Sequence, residues 1–318
     1  MTRFLVAVTF ASVCVSAQAQ SVEFKLKYTP GEKILVTTKE KIDQTINMGF
    51  PIKTGGFSSK VVEIATGKRG DKGGLSRTHT IKAMKNELSV PGGAKIVFDS
   101  TKPDATKVPE IPGAPGAGES MIAGMKNSAK AILTYTYDKA NKLTGVKVTG
   151  LNVAELAPEV AAELSETSLK KSRQMQLDEL PPKAMKPGDS WKKTREQPLG
   201  GGQILKTTTA YAYKGMMKRG DKSYDLIETK TTAIEIKVAE GSPLPLTGSD
   251  LKPTKESVGK IWYDRKAGRI AAAKSTLQAE GTITISAQGR TIDAQLNLTI
   301  ERETEVKAGK ESVSRNAK

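Results

Sequence analysis

Cysteine and histidine are almost absent from this sequence, and their scarcity excludes several kinds of chemistry. The chain of 318 residues contains one cysteine, Cys14, and one histidine, His79. Because Cys14 lies near the amino terminus in an apolar leader, the rest of the chain can form no disulfide, thiolate metal site or cysteine nucleophile. A His-rich metal centre cannot be built from one histidine. We therefore predict no catalytic, cofactor-binding or metal-binding site.

Aromatic residues and long apolar runs are also scarce. Phe, Trp and Tyr make up 5% of the residues, which is few for a protein that stacks nucleobases. After residue 20, no segment is apolar over the length needed to cross a bilayer. We therefore expect no nucleic-acid partner and a protein that is soluble after export, with membrane contact of the peripheral kind only.

Export is predicted from the first nineteen residues. Arg3 precedes an apolar run from Phe4 to Val15 that is too short to span a bilayer. Ala17-Gln18-Ala19 follows as a cleavage site with small residues at both ends. We interpret residues 1–19 as a secretory signal peptide and the mature protein as periplasmic or extracellular.

The chain has a strong excess of positive charge. Lys and Arg number 50 and Asp and Glu 34, which gives a formal net charge of +16. In an exported protein this excess favours anionic partners, namely phosphorylated glycolipids, acidic phospholipids or acidic polysaccharides of the envelope. The alternative is structural, because lysines scattered along solvated sheet faces and edges also discourage aggregation.

Apolar and polar residues alternate through most of the chain. The clearest stretch is 292–301, where Ile, Ala, Leu, Leu and Ile alternate with polar residues. A period of two predicts antiparallel strands with one buried and one solvated face. The same alternation predicts a strand at Val22–Tyr28. The predicted fold class is mainly β, with curved antiparallel sheets.

Three short patterns occur twice in the same order, which indicates that the sheets come from two related halves. They are Pro-Gly at 30–31 and 187–188, Lys-Arg-Gly-Asp-Lys at 68–72 and 218–222, and Tyr-Asp at 137–138 and 263–264. We expect both Lys-Arg-Gly-Asp-Lys phrases to be type II′ hairpin turns, with Gly70 and Gly220 at the position of positive φ. The predicted halves are 20–150 and 181–307, followed by a disordered tail at 308–318.

Helix is predicted in two places. Residues 119–130 form one short helix, and a second begins at Asn152 in a capping-box pattern, with Pro158 kinking it. The second helix belongs to a connector, 151–180, between the halves. A Pro- and Gly-rich insertion at 101–120 has the composition of a mobile loop.

Three local motifs have structural interpretations that account for them better than functional ones. Gly113–Ser120 has the spacing of a phosphate-binding loop, but Glu119 stands where a lysine is required, so a linker is the better interpretation. The Arg-Gly-Asp within each repeated phrase resembles an adhesion tripeptide, and turn chemistry explains it. His79 shares a strand face with Leu75 and Ile81, which favours a packing role over catalysis.

The candidates for ligand contact lie on the predicted helices and on one strand. Those on the helices are apolar and would form a lid: Met121, Ile122, Met125, Val153, Leu156 and Val160. Methionine adapts to irregular apolar surfaces, although ordinary core packing is the alternative role for all six. Trp262 is a further candidate. It points to one face of its strand while Ile261 and Tyr263 point to the other, so either Trp262 or its two neighbours must face away from the core.

The chain resembles exported bacterial β-proteins of uncharacterised-domain families. The resemblance rests on the signal peptide, the two Pro-Gly turns before strands, the stretch Gly188-Asp189-Ser190-Trp191 and the Tyr263-Asp264 hairpin. In outline the predicted architecture is also similar to periplasmic lipoprotein carriers, in which a curved antiparallel sheet cups an apolar cavity partly closed by helices. The resemblance implies a fold and assigns no functional residue.

Three functions fit these features. The leading hypothesis is a non-enzymatic exported binding protein for a lipid or other anionic amphiphile, with basic residues near its head. The first alternative is a structural or adhesive envelope protein that binds acidic polymers through basic sheet faces. The second alternative, a carboxylate-based hydrolase, requires two acidic side chains to meet in one cleft.

Overall fold

The structure is a computed structural model of the chain. It describes residues 21–89, 93–102, 116–151, 161, 164–181, 183–200, 203–238, 246–287 and 290–309. Over these residues the chain forms two helices and thirteen strands, and all the strands belong to one curved antiparallel sheet. The predicted mainly β fold is therefore confirmed, with one continuous sheet in place of several.

Many of the strands are unusually long. The strands are β1 (Lys33–Asn47), β2 (Pro51–Thr66), β3 (Leu75–Ser89), β4 (Lys95–Asp99), β5 (Ile132–Tyr137), β6 (Leu143–Thr149), β7 (Ser190–Gly200), β8 (Gln203–Arg219), β9 (Lys222–Val238), β10 (Leu246–Pro253), β11 (Val258–Asp264), β12 (Arg269–Ala287) and β13 (Arg290–Ala308). The helices are α1 (Ala117–Lys130) and α2 (Glu166–Leu177). Strands such as β12 and β13, with 19 residues each, accumulate enough twist to curve the sheet.

The strand order repeats between the first six strands and the next six. The sheet runs β6-β5-β3-β2-β1-β13-β12-β11-β9-β8-β7, with β4 on β3 and β10 on β12. In each series three strands follow one another as hairpins, and the third then pairs with the fifth, which forms a hairpin with the sixth. β13 joins the two series by pairing with β12 and β1. Such a repeat is what duplication of one half of the chain predicts. The boundaries of the predicted halves, 20–150 and 181–307, stay a prediction.

One face of the sheet carries the apolar side chains. Cross-strand partners lie on the same side of a sheet, and the register aligns Ile34 with Ile64, Ile64 with His79, and His79 with Leu133. Four buried clusters line this apolar face. The first contains Tyr213 and Tyr263, the second Ile283 and Leu296, the third Leu75 and Tyr137, and the fourth Phe98 and Ile122. Full burial of one such side chain is worth about 1.5–3 kcal/mol, so this face supplies the core.

The prediction of a strand at Val22–Tyr28 is wrong, although apolar and polar residues do alternate in this segment. The segment makes one isolated bridge, in which Val22 N donates to Met185 O at 2.8 Å and Met185 N to Val22 O at 2.9 Å. Phe24 packs edge-on against Tyr213 and Tyr263, with ring centroids 5.2 and 5.0 Å away. The segment thus packs against the apolar face and does not add a strand to the sheet. Its apolar residues alternate because every second side chain is buried, without strand pairing.

The two repeated turns differ in geometry. Arg219 pairs with Lys222, and Gly220 between them has φ of 61°, as a type II′ turn requires at its first central position. In the first copy Gly70 has no positive φ; Gly73 has one instead, at 76°, and Gly70 N bonds to Gly74 O at 2.9 Å. The type II′ prediction is therefore wrong for this copy, because two further glycines lengthen the loop.

Of the two predicted helices, the first lies within the described residues and the start of the second does not. α1 begins at Ala117, so helix replaces the last residues of the predicted 101–120 loop. The predicted helix start at Asn152 lies outside the described residues, and the described connector helix is α2, whose cap Ser165 Oγ accepts from Ser168 N at 3.2 Å. β13 continues through Ala308, which pairs with Ile34. Residues 1–20 and 310–318 lie outside the described residues.

A buried carboxylate ties the β11–β12 turn to β9. Asp225 is 1% exposed. It accepts a hydrogen bond from Tyr213 Oη at 2.6 Å and two from Arg265, from Nε at 3.0 Å and Nη2 at 2.6 Å. Burial and the bond to Asp225 raise the pKa of Tyr213, so it remains a donor. The buried charge of Asp225 is therefore fully compensated.

Replacing Arg265 by Met should lower the free energy of unfolding by roughly 3 kcal/mol, because Asp225 would stay buried without its counter-ion. This is the low end for a broken buried pair, since the Arg265 side chain is 43% exposed. Urea unfolding followed by circular dichroism measures the change. The exposed neighbour Lys266→Met is the control and should shift stability by less than about 0.5 kcal/mol. Equal midpoints for both variants would show that the pair does not stabilise the fold.

Candidate functional site

Basic side chains gather on the apolar face of β2 and β3. Arg77 and His79 are two residues apart on β3, so both point to the buried side. Lys60 of β2 pairs with Met84, which is buried on that side. Arg173 reaches the same region from α2, where Nε donates to Tyr137 Oη at 3.0 Å. We call Lys60, Arg77, His79 and Arg173 the cationic cluster.

Arg77 is buried without a counter-ion among the described residues. Arg77 is only 7% exposed, and its guanidinium carbon lies 4.5 Å from the centroid of the Tyr28 ring. Nε is buried and finds no hydrogen-bond partner in the described part of the chain. Glu32, a carboxylate close enough to influence the pKa of Arg77, is itself paired with Arg269. Arg77 therefore brings an uncompensated charge into the core.

His79 is a neutral imidazole beside these charges. Burial moves its pKa well below the usual value, and Arg173, Arg77 and Lys60 lower it further. Its ring meets Tyr135 edge-on at 4.8 Å between centroids. Nε2 is buried and has no partner within the described residues. A buried ring nitrogen without a hydrogen bond is costly, so this atom is available to a ligand.

Tyrosines form the wall of the cluster and do not neutralise it. Tyr28 and Tyr137 lie 4.8 Å apart between ring centroids, and the guanidinium carbon of Arg173 lies 5.7 Å from the ring of Tyr135. Burial, more than any other cause, raises the pKa of Tyr28 to about 12. Burial likewise raises the pKa of Tyr135. These phenols therefore remain uncharged at neutral pH.

Lys60 is the third basic side chain of the cluster besides the two arginines. Burial lowers its pKa, and Arg302 lowers it further. Arg302 itself has a weak ion pair, with Nε 3.9 Å from Glu40 Oε2. No carboxylate of the described chain lies within ion-pair distance of Lys60. The cluster thus combines three cations with a neutral histidine.

Two basic side chains of the second series, both on the edge strand β7, have partners in the segment that precedes it. Arg195 of β7 pairs with Glu179 at 2.6 Å, so its charge is compensated although Nη2 has no partner among described residues. Lys193 donates to the carbonyl oxygens of Asp178 and Leu180. Thr229 occupies the place on β9 that His79 has on β3. Of the two charged residues that are buried in the described chain, Arg77 in the first series has no counter-ion and Asp225 in the second has one.

The arrangement is suited to binding an anion. Arginine and lysine donors, tyrosine hydroxyls and an unpaired imidazole nitrogen lie on one side of the sheet, where Arg77 Nε and His79 Nε2 are shielded from water. An anionic group placed there would supply the missing counter-charge and accept charge-assisted hydrogen bonds. Apolar residues of the same face, among them Leu75, Ile81 and Leu133, lie beside the cations.

The predicted ligand contacts are only partly brought together. Ile122 of α1 is 4% exposed and packs with Met84 and Phe98, Met125 is half-buried beside it, and Met121 is 37% exposed. Val153, Leu156 and Val160 lie outside the described residues. These assignments stay predictions.

Trp262 lies on the opposite face of the sheet from α1. Its β11 neighbours Ile261 and Tyr263 point into the aromatic core, and Trp262 points away from it. Arg219 covers its ring at 4.9 Å from the centroid and bonds to Glu305 Oε1 at 2.9 Å. Trp262 therefore cannot line the same site as α1.

Sequence reasoning missed Lys60, Arg77 and Arg173 and gave His79 a packing role. A signal for two of them was present, because Arg77 and His79 stand in an alternating row with the apolar Leu75 and Ile81. A charged residue at an inward position is an anomaly that indicates function. Lys60 and Arg173 gave no such signal, since only the fold brings them to β3.

Other features of the described chain point to no site. A shallow depression of about 330 Å³ is lined mainly by polar residues of both charges: Asp250, Lys252, Glu280, Gly281, Thr282, Gln295, Leu296 and Asn297. Among the described residues, no group of three His, Cys, Asp or Glu side chains could hold a metal ion. No helix in the described ranges has the length and apolar character needed to cross a membrane.

Comparison with known proteins places the chain in no family. No protein-family model and no curated protein matches it. It is similar to lipovitellin, in a structure concerned with lipid–protein interactions, with 13% identity, a TM-score of 0.36 and coverage of 89% of this chain and 25% of that one. It is also similar to an outer membrane channel from Pseudomonas putida F1, with 8% identity, a TM-score of 0.27 and coverage of 90% and 98%. The match spans a quarter of the lipovitellin chain, and likenesses of this size carry no argument about function.

Replacing Arg77 by Met should leave the free energy of unfolding unchanged or raise it by about 1 kcal/mol. The substitution removes an uncompensated buried charge and keeps much of the side-chain volume. Urea unfolding of the ligand-free protein measures the change, beside Arg265→Met as the variant expected to be destabilised. A loss of about 3 kcal/mol or more for Arg77→Met would mean that Arg77 has a structural partner.

Stability should fall as the pH drops through the pKa of the unfolded histidine. Because the folded-state pKa of His79 is depressed, only the unfolded chain takes up a proton just below pH 6.5. Relative to His79→Gln, the natural protein should lose about 1.4 kcal/mol between pH 7.5 and pH 5.5. Urea unfolding at both pH values measures this difference, and the absence of other histidines makes it specific. Parallel pH profiles for both proteins would contradict it.

Proposed function

We propose that this protein is an exported, non-enzymatic binding protein for an anionic amphiphile, such as a lipid with a carboxylate or phosphate head. The proposal rests on one observation: Arg77 is buried on an apolar sheet face with no counter-ion among the described residues, beside the unpaired Nε2 of His79. The head group would bind at the cationic cluster. Its apolar chain would lie against the apolar face.

Both parts of an amphiphile contribute to the expected affinity. An Arg guanidinium binds a carboxylate or phosphate with two parallel hydrogen bonds, which are strong where water is excluded. Each buried CH₂ of an attached chain adds about 0.8 kcal/mol. A small inorganic anion would satisfy the charge and gain nothing from Leu75, Ile81 or Leu133. An amphiphile is therefore the better fit to the neighbourhood of the cluster.

α2 is the element best placed to act as a cover for the head group. None of its residues is buried. It contacts the tyrosine wall through the hydrogen bond from Arg173 to Tyr137 and through Leu169 and Leu177, which pack partly buried against that wall. Because every residue of α2 stays at least partly exposed, this helix detaches at lower cost in free energy than α1, which buries Ile122. α1 packs through Ile122 on the neighbouring apolar cluster and fits the more permanent part of the predicted lid.

Export gives such a protein access to its ligands. The pattern of residues 1–19 supports a signal peptide, and envelope membranes supply anionic amphiphiles. The alternative of an envelope protein that binds acidic polymers has one observation in its favour, the exposed lysines at the sheet turns that are described below. It does not account for the buried cations.

A fluorescent palmitic-acid analogue tests the proposal on the purified mature protein. The natural protein should bind it saturably, and Arg77→Met should weaken binding by at least about tenfold, as expected for loss of a charge-assisted pair. Arg219→Met is the matched control: Arg219 also lies over an aromatic ring, but on the opposite face. It should leave the affinity unchanged.

The same titration with palmityl alcohol separates the head from the chain. The neutral alcohol should bind more weakly to the natural protein, and Arg77→Met should make no further difference. If neither the palmitate analogue nor a lysophosphatidylglycerol binds the natural protein, the proposed function is wrong. If Arg77→Met and Arg219→Met behave alike, the cationic cluster is not the head-group site.

A further inference from the structure

Four hairpin turns lie together at one end of the sheet. They connect β2 to β3, β5 to β6, β8 to β9 and β11 to β12, and they include both Lys-Arg-Gly-Asp-Lys phrases. The first two touch, since Arg69 Nη2 donates to Asn141 Oδ1 at 3.0 Å. The last two are adjacent because Tyr263, next to the last residue of β11, pairs with Asp225 near the start of β9. We call this end the turn edge.

The turn edge is rich in lysines that have no ion-pair partner. Each is exposed, and none lies within ion-pair distance of a carboxylate in the described chain. They are Lys68, Lys72, Lys139, Lys142, Lys218, Lys222 and Lys266. Elsewhere on the sheet exposed lysines such as Lys41, Lys85 and Lys214 pair with acidic neighbours. The turn edge thus brings seven unpaired lysines together, although unpaired lysines such as Lys53 and Lys95 also occur at the opposite end of the sheet.

Acidic residues at the turn edge do little to offset this charge. Asp138 accepts hydrogen bonds from the backbone N of Ala140 at 2.8 Å and of Lys142 at 2.9 Å. Asp264 accepts from Ala267 N at 2.9 Å. Their oxygens stabilise the turns and are turned inward to the backbone. Asp71 and Asp221 in the repeated turns are exposed and oppose part of the lysine charge, but the seven lysines outnumber them, so the surface that faces solvent has a net positive charge.

Two adjacent methionines are exposed beside these lysines. Met216 is 60% and Met217 48% exposed. They follow Gly215, whose φ of 89° accompanies a register shift in β8, and they precede Lys218 in the β8–β9 hairpin. As consecutive strand residues they project from opposite faces of β8, and neither exposed side chain has an evident packing role.

We infer that the turn edge docks on the surface of an anionic lipid bilayer. Lysines near an anionic leaflet strengthen binding by roughly fivefold each, and flexible methionine side chains can enter the interface beneath the head groups. An acidic polysaccharide would satisfy the lysines and would gain nothing from Met216 and Met217. The bilayer is therefore the partner that the combined surface fits.

The candidate site lies close to the turn edge. Leu75 is the first residue of β3 and pairs with Tyr137, the last residue of β5, and Arg77 follows two positions later. Docking by the turns would place the cationic cluster near the lipid surface. The inference itself is independent of the proposed function, because it depends on the turns and not on Arg77.

Co-sedimentation with lipid vesicles tests the docking surface. The mature protein should bind vesicles of phosphatidylcholine with phosphatidylglycerol, bind weakly to phosphatidylcholine alone, and dissociate as salt is raised. Lys218→Gln/Lys222→Gln should weaken binding to the anionic vesicles by at least about tenfold. Met216→Ser/Met217→Ser should weaken it by several-fold and leave binding to dextran sulfate unchanged.

The matched control removes two charges from the opposite end of the sheet. Lys53→Gln/Lys95→Gln changes the net charge equally, and Lys53 lies near the exposed Phe50. It should retain full vesicle binding. Equal losses for both lysine pairs would mean that net charge alone drives association. Vesicle binding that is insensitive to the methionine variant, with equally tight binding to dextran sulfate, would make the partner an acidic polymer. Either result overturns the inference, as does a failure to bind anionic vesicles.

Discussion

The structure depends on keeping one side of a thirteen-stranded sheet apolar from end to end. Side chains alternate with a period of two, so a slip of one residue in any strand would move its apolar residues to the solvent. The sheet contains bulges, for example between Thr208 and Thr209 in β8, and the sequence changes its alternation at such points so that the faces remain in phase. Polar residues also occupy inward positions. Some, such as Glu40 and Arg302, stay partly exposed, whereas others are enclosed by the core. Arg77, His79 and Asp225 are three such residues.

The two strand series meet this constraint in different ways. In the second, Asp225 is enclosed by Tyr213 and Arg265, which form a complete set of hydrogen bonds around a buried charge. In the first, Arg77 has an aromatic ring beneath it and no counter-ion in the described chain. A satisfied pair fixes the turn that it bridges. An unsatisfied cation costs folding free energy, and that cost is relieved when an anion binds.

The proposed site and the proposed docking surface follow from the same topology. Hairpin turns of both series point to one end of the sheet, where the repeated lysines collect. The buried cation Arg77, at the third position of β3, lies just inside that end. Only a few residues at the start of β3 thus separate the exposed lysines of the turn edge from the buried Arg77. An anionic lipid would be attracted by the exposed lysines and held by the buried Arg77.

The sequence by itself determined the elements that depend on local pattern. Alternation predicts the strands, the apolar spacing at 119–130 predicts α1, and the Gly-Asp pair predicts the turn at Gly220, because each of these follows from neighbouring residues. Tertiary structure decided that Val22–Tyr28 packs across a face without pairing. It also decided which charges lack partners, since Lys60, Arg77 and Arg173 come together only through strand register and helix placement. Compensation of a buried charge is a long-range property, and no local pattern encodes it.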